Sequence, residues 1–502
     1  MVRALEHAFD RPFGAAGNPL KHLGALATML LWLLLASGVV LYVVLDTSAA
    51  GAYASIDALA RVPWMLGTLL RGLHRYGADA FMVVLVLHIA REWALGRYAH
   101  FRRVIWWTGV PLVLLAFVSA IGGFWLNWDR LGQYSALSTA EWLGALPFLA
   151  VPLARNFLDG AALGDRLFTL FIFVHLGVPL MLMFGLWFHV QRLSLARVFP
   201  PRPLALGTLA LLALLALLAP VASQGPADLA RVPQALALDW LILFIHPLVD
   251  ATSAELVWVL VALVFFLLLL PPFLPAPARA PVAKVDPQHC SGCERCFDDC
   301  PYAAITMVAH ASGKPGARMA QVEADLCASC GICAGSCPSS TPFRSAERLV
   351  TGIDMPQLPV DALRADLVQR LAALPGPHKL VVFGCVEGVR TRLAAPGVLR
   401  MDLICAGMLA PSFVEYALRA GADGVLVAGC REGGCAYRLG QRWMAERLEG
   451  AREPYLRRSV PGERWSVAWT DAGDEAQLAA ALADLRRRTS AAAPTVLEEI
   501  AT

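Results

Sequence analysis

The sequence predicts a multidomain chain: an all-α bundle of six transmembrane helices, a small α+β segment, and a small α/β parallel-sheet domain. Three observations carry this. Of the 502 residues, 57% are hydrophobic, and the excess is confined to the first 275, in runs long enough to cross a bilayer. Two cysteine-rich repeats follow a Pro-rich stretch. From Pro375 onward, apolar runs alternate with amphipathic ones, the pattern of strands and helices around a parallel sheet. The net charge of +3 gives no sign of nucleic-acid binding. The opening MVRALEHAFDRPFG lacks a basic, apolar and cleavage-site pattern, so no removable signal peptide is expected.

Apolar runs occupy 23–45, 76–95, 105–126, 167–190, 204–222 and 254–274. Two shorter pieces, Trp142–Leu153 and Ala235–Leu248, are interrupted by Pro or Asp and read as interfacial or re-entrant helices. Six spans put both ends of the bundle on one side. That side carries Arg3, Arg11, Lys21, Arg91, Arg97, Arg102, Arg103, Arg192, Arg197, Arg202, Arg279 and Lys284, while the opposite loops are rich in acid. The positive-inside bias therefore places the termini in the cytoplasm.

His74 and His88 lie fourteen residues apart in RGLHRYGADAFMVVLVLHIARE, residues 71–92. At about 100° and 1.5 Å per residue, both leave one helix face, roughly 21 Å apart. His175 and His189 repeat the spacing. Two antiparallel helices facing each other would pair the four histidines at two levels, as axial ligands of two stacked haems. A lone histidine on an apolar face is more often a core or cap residue. Two equal spacings on two membrane helices, where a buried imidazole needs a partner, weigh against that reading. Gly24 with Gly38, and Gly109 with Gly123, repeat the interval of fourteen. A missing side chain at each level would let a flat macrocycle approach the backbone.

On these residues, 1–200 resemble the four-helix haem-binding half of cytochrome b from quinol-oxidising bc and bf complexes, with 201–275 adding two further helices. The resemblance implies two b haems, an outer one held by His74 and His175 and an inner one held by His88 and His189. It implies haem contacts at the four glycines, and at Arg71 and Arg91 as partners of the propionates. It also implies a homodimer through this domain. The stretch GFWLNWDRLGQYSA (Gly123–Ala136) is similar to the family's third-helix exit loop. The run VPQALALDWLILFIHPL (Val232–Leu248) resembles the loop before the sixth helix, which helps form an outer quinone pocket. Asp239 and Trp240 are then candidate quinone contacts; an amphipathic helix at the interface is the alternative. His246 is expected at the interface rather than as a ligand.

After a linker at 276–287, residues 288–345 hold CSGCERCFDDCP (Cys290–Pro301) and CASCGICAGSCP (Cys327–Pro338). Both are C-x2-C-x2-C-x3-C-P, the run of bacterial dicluster ferredoxins. Three close thiolates wrap one [4Fe–4S] cube and the fourth cysteine ligates the other. One cluster takes Cys290, Cys293, Cys296 and Cys337; the other takes Cys327, Cys330, Cys333 and Cys300. Zinc sites leave longer gaps between cysteine pairs, and a reducing cytoplasm disfavours disulfides. The loop Tyr302–Leu326 holds a short insertion that should leave ligation undisturbed.

A second linker, 346–374, leads to the α/β domain at 375–502. KLVVFG (379–384), GVLRMDLI (397–404) and GVLVAG (424–429) read as strands; SFVEYALRAGAD and GQRWMAERLEG read as helices. Cys385, Cys405, Cys430 and Cys435 all lie here, three of them after strand ends, where open α/β sheets gather their sites. On spacing alone, a [2Fe–2S] cluster, free buried cysteines and a redox disulfide all remain open. The segment Met408–Tyr437 resembles the iron–sulfur delta subunit of methyl-viologen-reducing hydrogenases. That family passes electrons between an oxidoreductase and a heterodisulfide-reductase-type flavoprotein, and binds [2Fe–2S] with four cysteines. Cys430 and Cys435 match its G-C-x4-C motif and Cys405 its second-strand cysteine. The family's first strand is cysteine-rich, whereas this chain offers Cys385 alone. GCREGGC is not a dinucleotide loop. Arg438, Arg442 and Arg447 read as a solvated helix face, with docking of an acidic partner as the alternative.

No flavin, nicotinamide, molybdenum or nickel motif is present, and no C-x-x-C-H for covalent haem. The expectation is a lipid-embedded electron-transfer subunit of an oxidoreductase in a prokaryotic inner membrane. A cytoplasmic flavoprotein, oxidising NAD(P)H, would feed the [2Fe–2S] and two [4Fe–4S] clusters, then the haems, then quinone. One alternative reverses the flow: quinol oxidation drives electrons inward to a heterodisulfide-reductase-like or other low-potential acceptor. The membrane potential supplies about 2.3 kcal/mol per charge per 100 mV for that direction. Another alternative is a docking anchor with structural cofactors.

Overall fold

Lipid offers backbone groups no hydrogen bonds, so an apolar run can enter it only as a helix that closes its own. The first half of the chain obeys this. The computed structural model describes residues 2–14, 17–146, 165–191, 193–231, 235–274, 280–345, 347–388, 395–432, 434–470 and 474–491. It divides into two units, Met1–Gln191 with Ala196–Pro275, and Arg192–Leu195 with Ala276–Thr502.

The first unit holds α1 (Val2–Phe13), α2 (Leu23–Val44), α3 (Ala52–Ala58), α4 (Leu66–Ala94), α5 (Arg103–Asn127), α6 (Arg130–Gly144), α7 (Asp165–Val190), α8 (Arg202–Leu218), α9 (Ile245–Ala251) and α10 (Ala254–Leu269). Four of its helices, α2, α4, α5 and α7, are long and apolar enough to cross a membrane. α8 and α10 have 17 and 16 residues. At 1.5 Å per residue they reach about 24–26 Å, against a hydrocarbon core of roughly 30 Å. α2 packs on α4, and α5 on α7, around buried Leu30, Met82, Trp125 and Phe168.

Three details differ from the sequence expectation. α4 starts ten residues before the apolar run at 76–95. Arg71, His74 and Arg75 dilute its hydropathy, yet they line an internal cavity instead of facing lipid. The Gly123–Ala136 stretch is a helical corner, not a loop. α5 runs to Asn127, Trp128 takes a left-handed φ of 44°, and the Asp129 carboxylate caps α6 by accepting the Gly132 N–H at 2.8 Å. Trp142 thus belongs to α6 and stacks on Trp258 at 4.2 Å. Residues 147–153 of that expected interfacial piece lie outside the described residues, as do 232–234, Arg192 and Arg279. Ala235–Leu248 is not one amphipathic helix: it runs irregularly until α9. The Asp239 side chain accepts the N–H groups of Leu241 and Ile242 at 3.0 and 2.7 Å and turns the chain there.

The second unit begins with β1 (Lys284–Val285), α11 (Arg295–Asp298), the hairpin β2 (Ile305–Ala309) and β3 (Arg318–Val322), and α12 (Ile332–Ser336). The hairpin is the loop between the two cysteine motifs. β4 (Ile353–Asp354) then pairs antiparallel with β1, and α13 spans Val360–Ala373. So 346–374, expected as a linker, contains a strand and a fourteen-residue helix whose Val360, Leu363, Leu367 and Leu371 enter the core. The linker at 276–287 likewise ends in β1. Arg364 of α13 is buried and ties the preceding segment down. It donates to the carbonyls of Pro342 and Glu347 at 3.3 and 2.8 Å, to that of Ser345, and to the Asp361 carboxylate at 2.9 Å. Arg364→Ala would remove all of these bonds, and hydrogen bonds made by a charged group are worth about 1.5–3 kcal/mol each. A thermal melt of the solubilised chain, read with limited proteolysis between residues 338 and 360, should show earlier loss of this unit than wild type.

The remaining elements are β5 (Leu380–Cys385), β6 (Val398–Leu403), α14 (Ser412–Arg419), β7 (Gly424–Gly429), α15 (Gly440–Leu448), β8 (Trp465–Trp469) and α16 (Glu475–Ala491). The four strands form a parallel sheet in the order β6-β5-β7-β8. β5 and β7 are buried throughout, which is why they read as continuous apolar runs. β8 and α16 extend the expected three-strand sheet.

Candidate functional site

The four histidines come together as two levels. The His74 and His175 rings are 6.3 Å apart, centre to centre, and inclined by 71°. Two metal–imidazole bonds of about 2 Å each, plus roughly 1 Å to each ring centre, span about 6 Å, so an iron atom fits between these rings. His88 and His189 follow fourteen residues further along α4 and α7. His74 meeting His175 requires α4 and α7 to run in the same direction; antiparallel helices would bring His74 to His189.

Each glycine of the fourteen-residue pairs lies against one imidazole. A Cβ at Gly24 would meet His88 Cε1 at 3.4 Å, and one at Gly38 would meet His74 Cε1 at 3.2 Å. The corresponding distances are 3.0 Å from Gly109 to His189 and 2.9 Å from Gly123 to His175. The missing side chains thus leave room for the histidine rings. Hydrogen bonds fix the rings from behind. His74 Nδ1 bonds Ser37 Oγ at 2.9 Å, His175 Nδ1 donates to the Ser119 carbonyl at 2.9 Å, and His189 Nδ1 bonds Thr108 Oγ1 at 3.2 Å. With Nδ1 engaged, Nε2 is the atom free to bind a metal. Ser37 and Thr108 escaped the sequence reading; each directly precedes one of the glycines.

A cavity of about 390 Å³ opens at the His74/His175 level, lined by both rings, Gly38, Gly123, Arg71 and Asp239. Arg71 donates to Ser223 Oγ at 2.8 Å and Asn127 Oδ1 at 3.2 Å at its wall. Arg91 instead pairs with Glu6 at 2.7 Å and Glu92 at 2.8 Å. Asp239 is ion-paired with Arg75. Trp240 is 70% exposed and is not among the residues lining this cavity. His246 is wholly buried, not interfacial. Its Nε2 bonds Ser135 Oγ at 3.0 Å.

In the second unit the cysteine repeats fold alike. Gly292 and Ser329, at matching positions, take φ of 67° and 56°; Glu294 and Gly331 take 64° and 76°; each pair precedes a short helix. The left-handed turns curl the chain around its thiols. Gly292 has no room for a side chain, since a Cβ would sit 2.3 Å from the Arg318 carbonyl. Cys290, Cys293, Cys296 and Cys337 line one small cavity. Burial, followed by the nearby Cys337, Cys293 and Cys290, pushes the Cys296 thiol up to about 12. Burial and then Cys330, Cys300 and Cys327 raise Cys333 in the second group. The first four thiols thus share one cavity, and Cys300 lies near Cys327, Cys330 and Cys333. The Ala304 N–H reaches Cys300 Sγ at 3.2 Å and the Ser329 N–H reaches Cys327 Sγ at 3.4 Å, the kind of contact that tunes a cluster.

Cys385 ends β5, Cys405 follows β6 and Cys430 follows β7, so three adjacent parallel strands deliver thiols to one sheet edge; Cys435 joins from the next loop. All four are buried. Hydrogen bonds from the Cys405 and Cys430 thiols, acting against burial, bring Cys385 down to about 3. Hydrogen bonding to Cys385 and Cys435 raises Cys405. Cys385, the position where the sequence departs from the delta-subunit pattern, stands with the other three. Among the described residues no group of three His, Cys, Asp or Glu side chains meets the geometry of a single-ion site. Thiolates set around several irons are not placed about one point.

The comparisons agree with this division. Residues 15–196 match the family model described as cytochrome b/b6/petB, residues 289–341 a 4Fe-4S dicluster domain, and residues 387–491 the methyl-viologen-reducing hydrogenase, delta subunit. The chain joins a cytochrome b domain, a dicluster domain and a hydrogenase-delta-type domain. The third match begins two residues after Cys385. The cytochrome b domain is 24% identical over 180 residues to cytochrome b of Rhodospirillum rubrum, covering 36% of this chain and 44% of that one. It is 28% identical over 171 residues to cytochrome b of Allochromatium vinosum, covering 34% and 41%. The chain thus spans less than half the length of these curated relatives. A solved chain of "Hyperthermophilic respiratory Complex III" is 21% identical, with a TM-score of 0.42, covering 51% of this chain and 75% of its own.

Proposed function

We propose that the chain is the membrane electron-transfer subunit of a quinone-linked oxidoreductase. One observation supports this above the rest: all twelve cysteines and the four histidines at fourteen-residue spacing fall into redox-type sets. Haem and iron–sulfur groups bound there would supply one-electron relays. His74 and His175 hold the outer haem; His88 and His189 hold the inner one. Cys290, Cys293, Cys296 and Cys337 hold one [4Fe–4S] cluster, Cys300, Cys327, Cys330 and Cys333 the other, and Cys385, Cys405, Cys430 and Cys435 a [2Fe–2S] cluster. α8 and α10 complete six spans, with the iron–sulfur unit in the cytoplasm of a prokaryote, and the cytochrome b domain mediates a homodimer. A cytoplasmic flavoprotein, oxidising NAD(P)H or resembling heterodisulfide reductase, exchanges electrons with the cysteine sets. Quinone meets the far end of the relay, with Asp239 on the cavity wall as its candidate contact. Arg71 faces the outer haem's propionates; Arg91 serves the inner haem by exchanging its Glu6 and Glu92 partners.

Cofactor counting tests this reading. Purified chain should carry two b haems, two four-iron clusters and one two-iron cluster; haem missing from protein whose iron–sulfur centres are intact would sink it. Gly109→Leu probes the ring fit separately. A branched side chain 3.0 Å from His189 Cε1 must displace the imidazole. One haem should be lost or shifted to a much lower midpoint in a potentiometric titration, with the other unchanged.

A further inference from the structure

Arg447 was expected on a solvated face, yet it is fully buried. It lies one helical turn after buried Trp443, on the inner side of α15. Its guanidinium binds three segments that carry cluster cysteines. It donates to Asp299 Oδ2 at 2.5 Å, beside Cys300; to Ser336 Oγ at 2.6 Å, beside Cys337; and to the Gly407 carbonyl at 2.8 Å, two residues after Cys405. Asp299, 3% exposed at its side chain, also receives Arg452 at 2.5 Å, and Trp443 Nε1 donates to the Asp299 carbonyl at 3.0 Å. The Asp299 carboxylate thus lies between two guanidiniums; the outer one, Arg452, is part-exposed and also pairs with Glu446 at 2.8 Å, so Arg447 is the fully buried cation of the cluster.

This clamp closes a seam without bulk in it. A Cβ on Gly335 would strike the Gly407 carbonyl at 2.3 Å, and one on Gly407 would strike Gly440 at 2.9 Å. A Cβ on Gly440 would strike Cys405 Sγ at 2.1 Å. Ile332, two residues from Cys330 and next to Cys333, packs against both Gly407 and Gly440. Cys330 and Cys405 belong to the same buried cluster, with Ile332, Leu439 and Trp443. Burial raises the Cys330 thiol, and Cys435 is among the sulfurs that add to it.

We infer that electrons pass between the four-cysteine site and the Cys300/Cys327/Cys330/Cys333 set directly across the Ile332–Gly407–Gly440 seam, with Arg447 as the residue that positions this hand-off and sets its potential. The inference rests on the cofactor reading above. One electron leaves one centre and arrives at the other, and no proton moves. A buried positive charge stabilises the added electron, so Arg447 favours the reduced state of the set beside Asp299. The cysteines of the other dicluster set include exposed Cys293, which puts that set at the open end of the sequence of centres.

The test uses the full chain, solubilised with its cofactors, in wild-type, Arg447→Gln, Arg447→Lys and Asp299→Asn forms. Iron and sulfide analysis comes first, then EPR-monitored redox titration. Wild type should show magnetic broadening of the [2Fe–2S] signal when the adjacent four-iron cluster is reduced. At a fixed potential, Arg447→Gln should lower the reduced fraction of that cluster several-fold, Asp299→Asn should raise it, and Arg447→Lys should stay near wild type. Opposite signs cannot come from loosening alone. An isolated [2Fe–2S] signal that no reduction broadens, or shifts of one sign in both charge variants, overturns the inference. If Arg447→Gln does not fold, Asp299→Asn and Arg447→Lys still decide the sign. A chain with no [2Fe–2S] centre at all fails the cofactor reading, and the hand-off with it.

Discussion

A His175→Ala chain is expected to lose half of its b-haem absorbance and all quinone-linked turnover. The substitution removes one of two rings that stand 6.3 Å apart, and with it one axial bond. His189, fourteen residues further along α7, keeps its own supports at Gly109 and Thr108, so the second haem should remain with an unshifted midpoint. Loss of both haems would mean that the two levels fold as one. Retention of both would remove His175 from the ligand set. A difference spectrum of reduced against oxidised membranes, with pyridine haemochrome counting, reads either outcome.

Cys430→Ala is expected to cut the other end of the relay. Cys430 is 3% exposed and sits in thiol contact with Cys385, so its loss should abolish the [2Fe–2S] EPR signal while leaving both four-iron signals. Haem reduction through the soluble partner should fall to background, whereas dithionite should still reduce the haems fully. If partner-driven haem reduction persists, electrons enter elsewhere, and the dicluster set with exposed Cys293 becomes the entry point.

Much of this was legible in the sequence because ligands impose intervals. Fourteen residues is close to four turns of helix, and the histidines and glycines repeat it because two levels need the same face twice. The cysteine runs are legible for the same reason, and so is the departure at Cys385. What stayed hidden depends on what a side chain meets. The direction of α7 relative to α4 leaves no trace in a spacing, so the antiparallel arrangement failed. The sequence shows a missing side chain at each glycine but not the histidine ring that lies against it. α13 was taken for linker because its Asp361, Arg364, Asp366 and Arg370 mask the Val360, Leu363, Leu367 and Leu371 stripe at helical spacing. β8 is a short edge strand of partly buried residues, with little pattern to detect. Arg447 could have been found: it follows Trp443 by four and Leu448 directly succeeds it, on the face the helix buries. Charge alone suggested solvent, but the partner that makes burial tolerable, Asp299, lies 148 residues away.

Anaerobic absorbance at the b-haem band tests the relay most directly. Membranes containing the chain and its copurifying partner would receive NADH or NADPH, followed by an oxidised quinone analogue. Haem reduction by the nucleotide and reoxidation by quinone is the result expected for flow from a cytoplasmic flavoprotein to the quinone pool. Haems that stay oxidised with both nucleotides but reduce with quinol would contradict that direction and place quinol at the start of the relay.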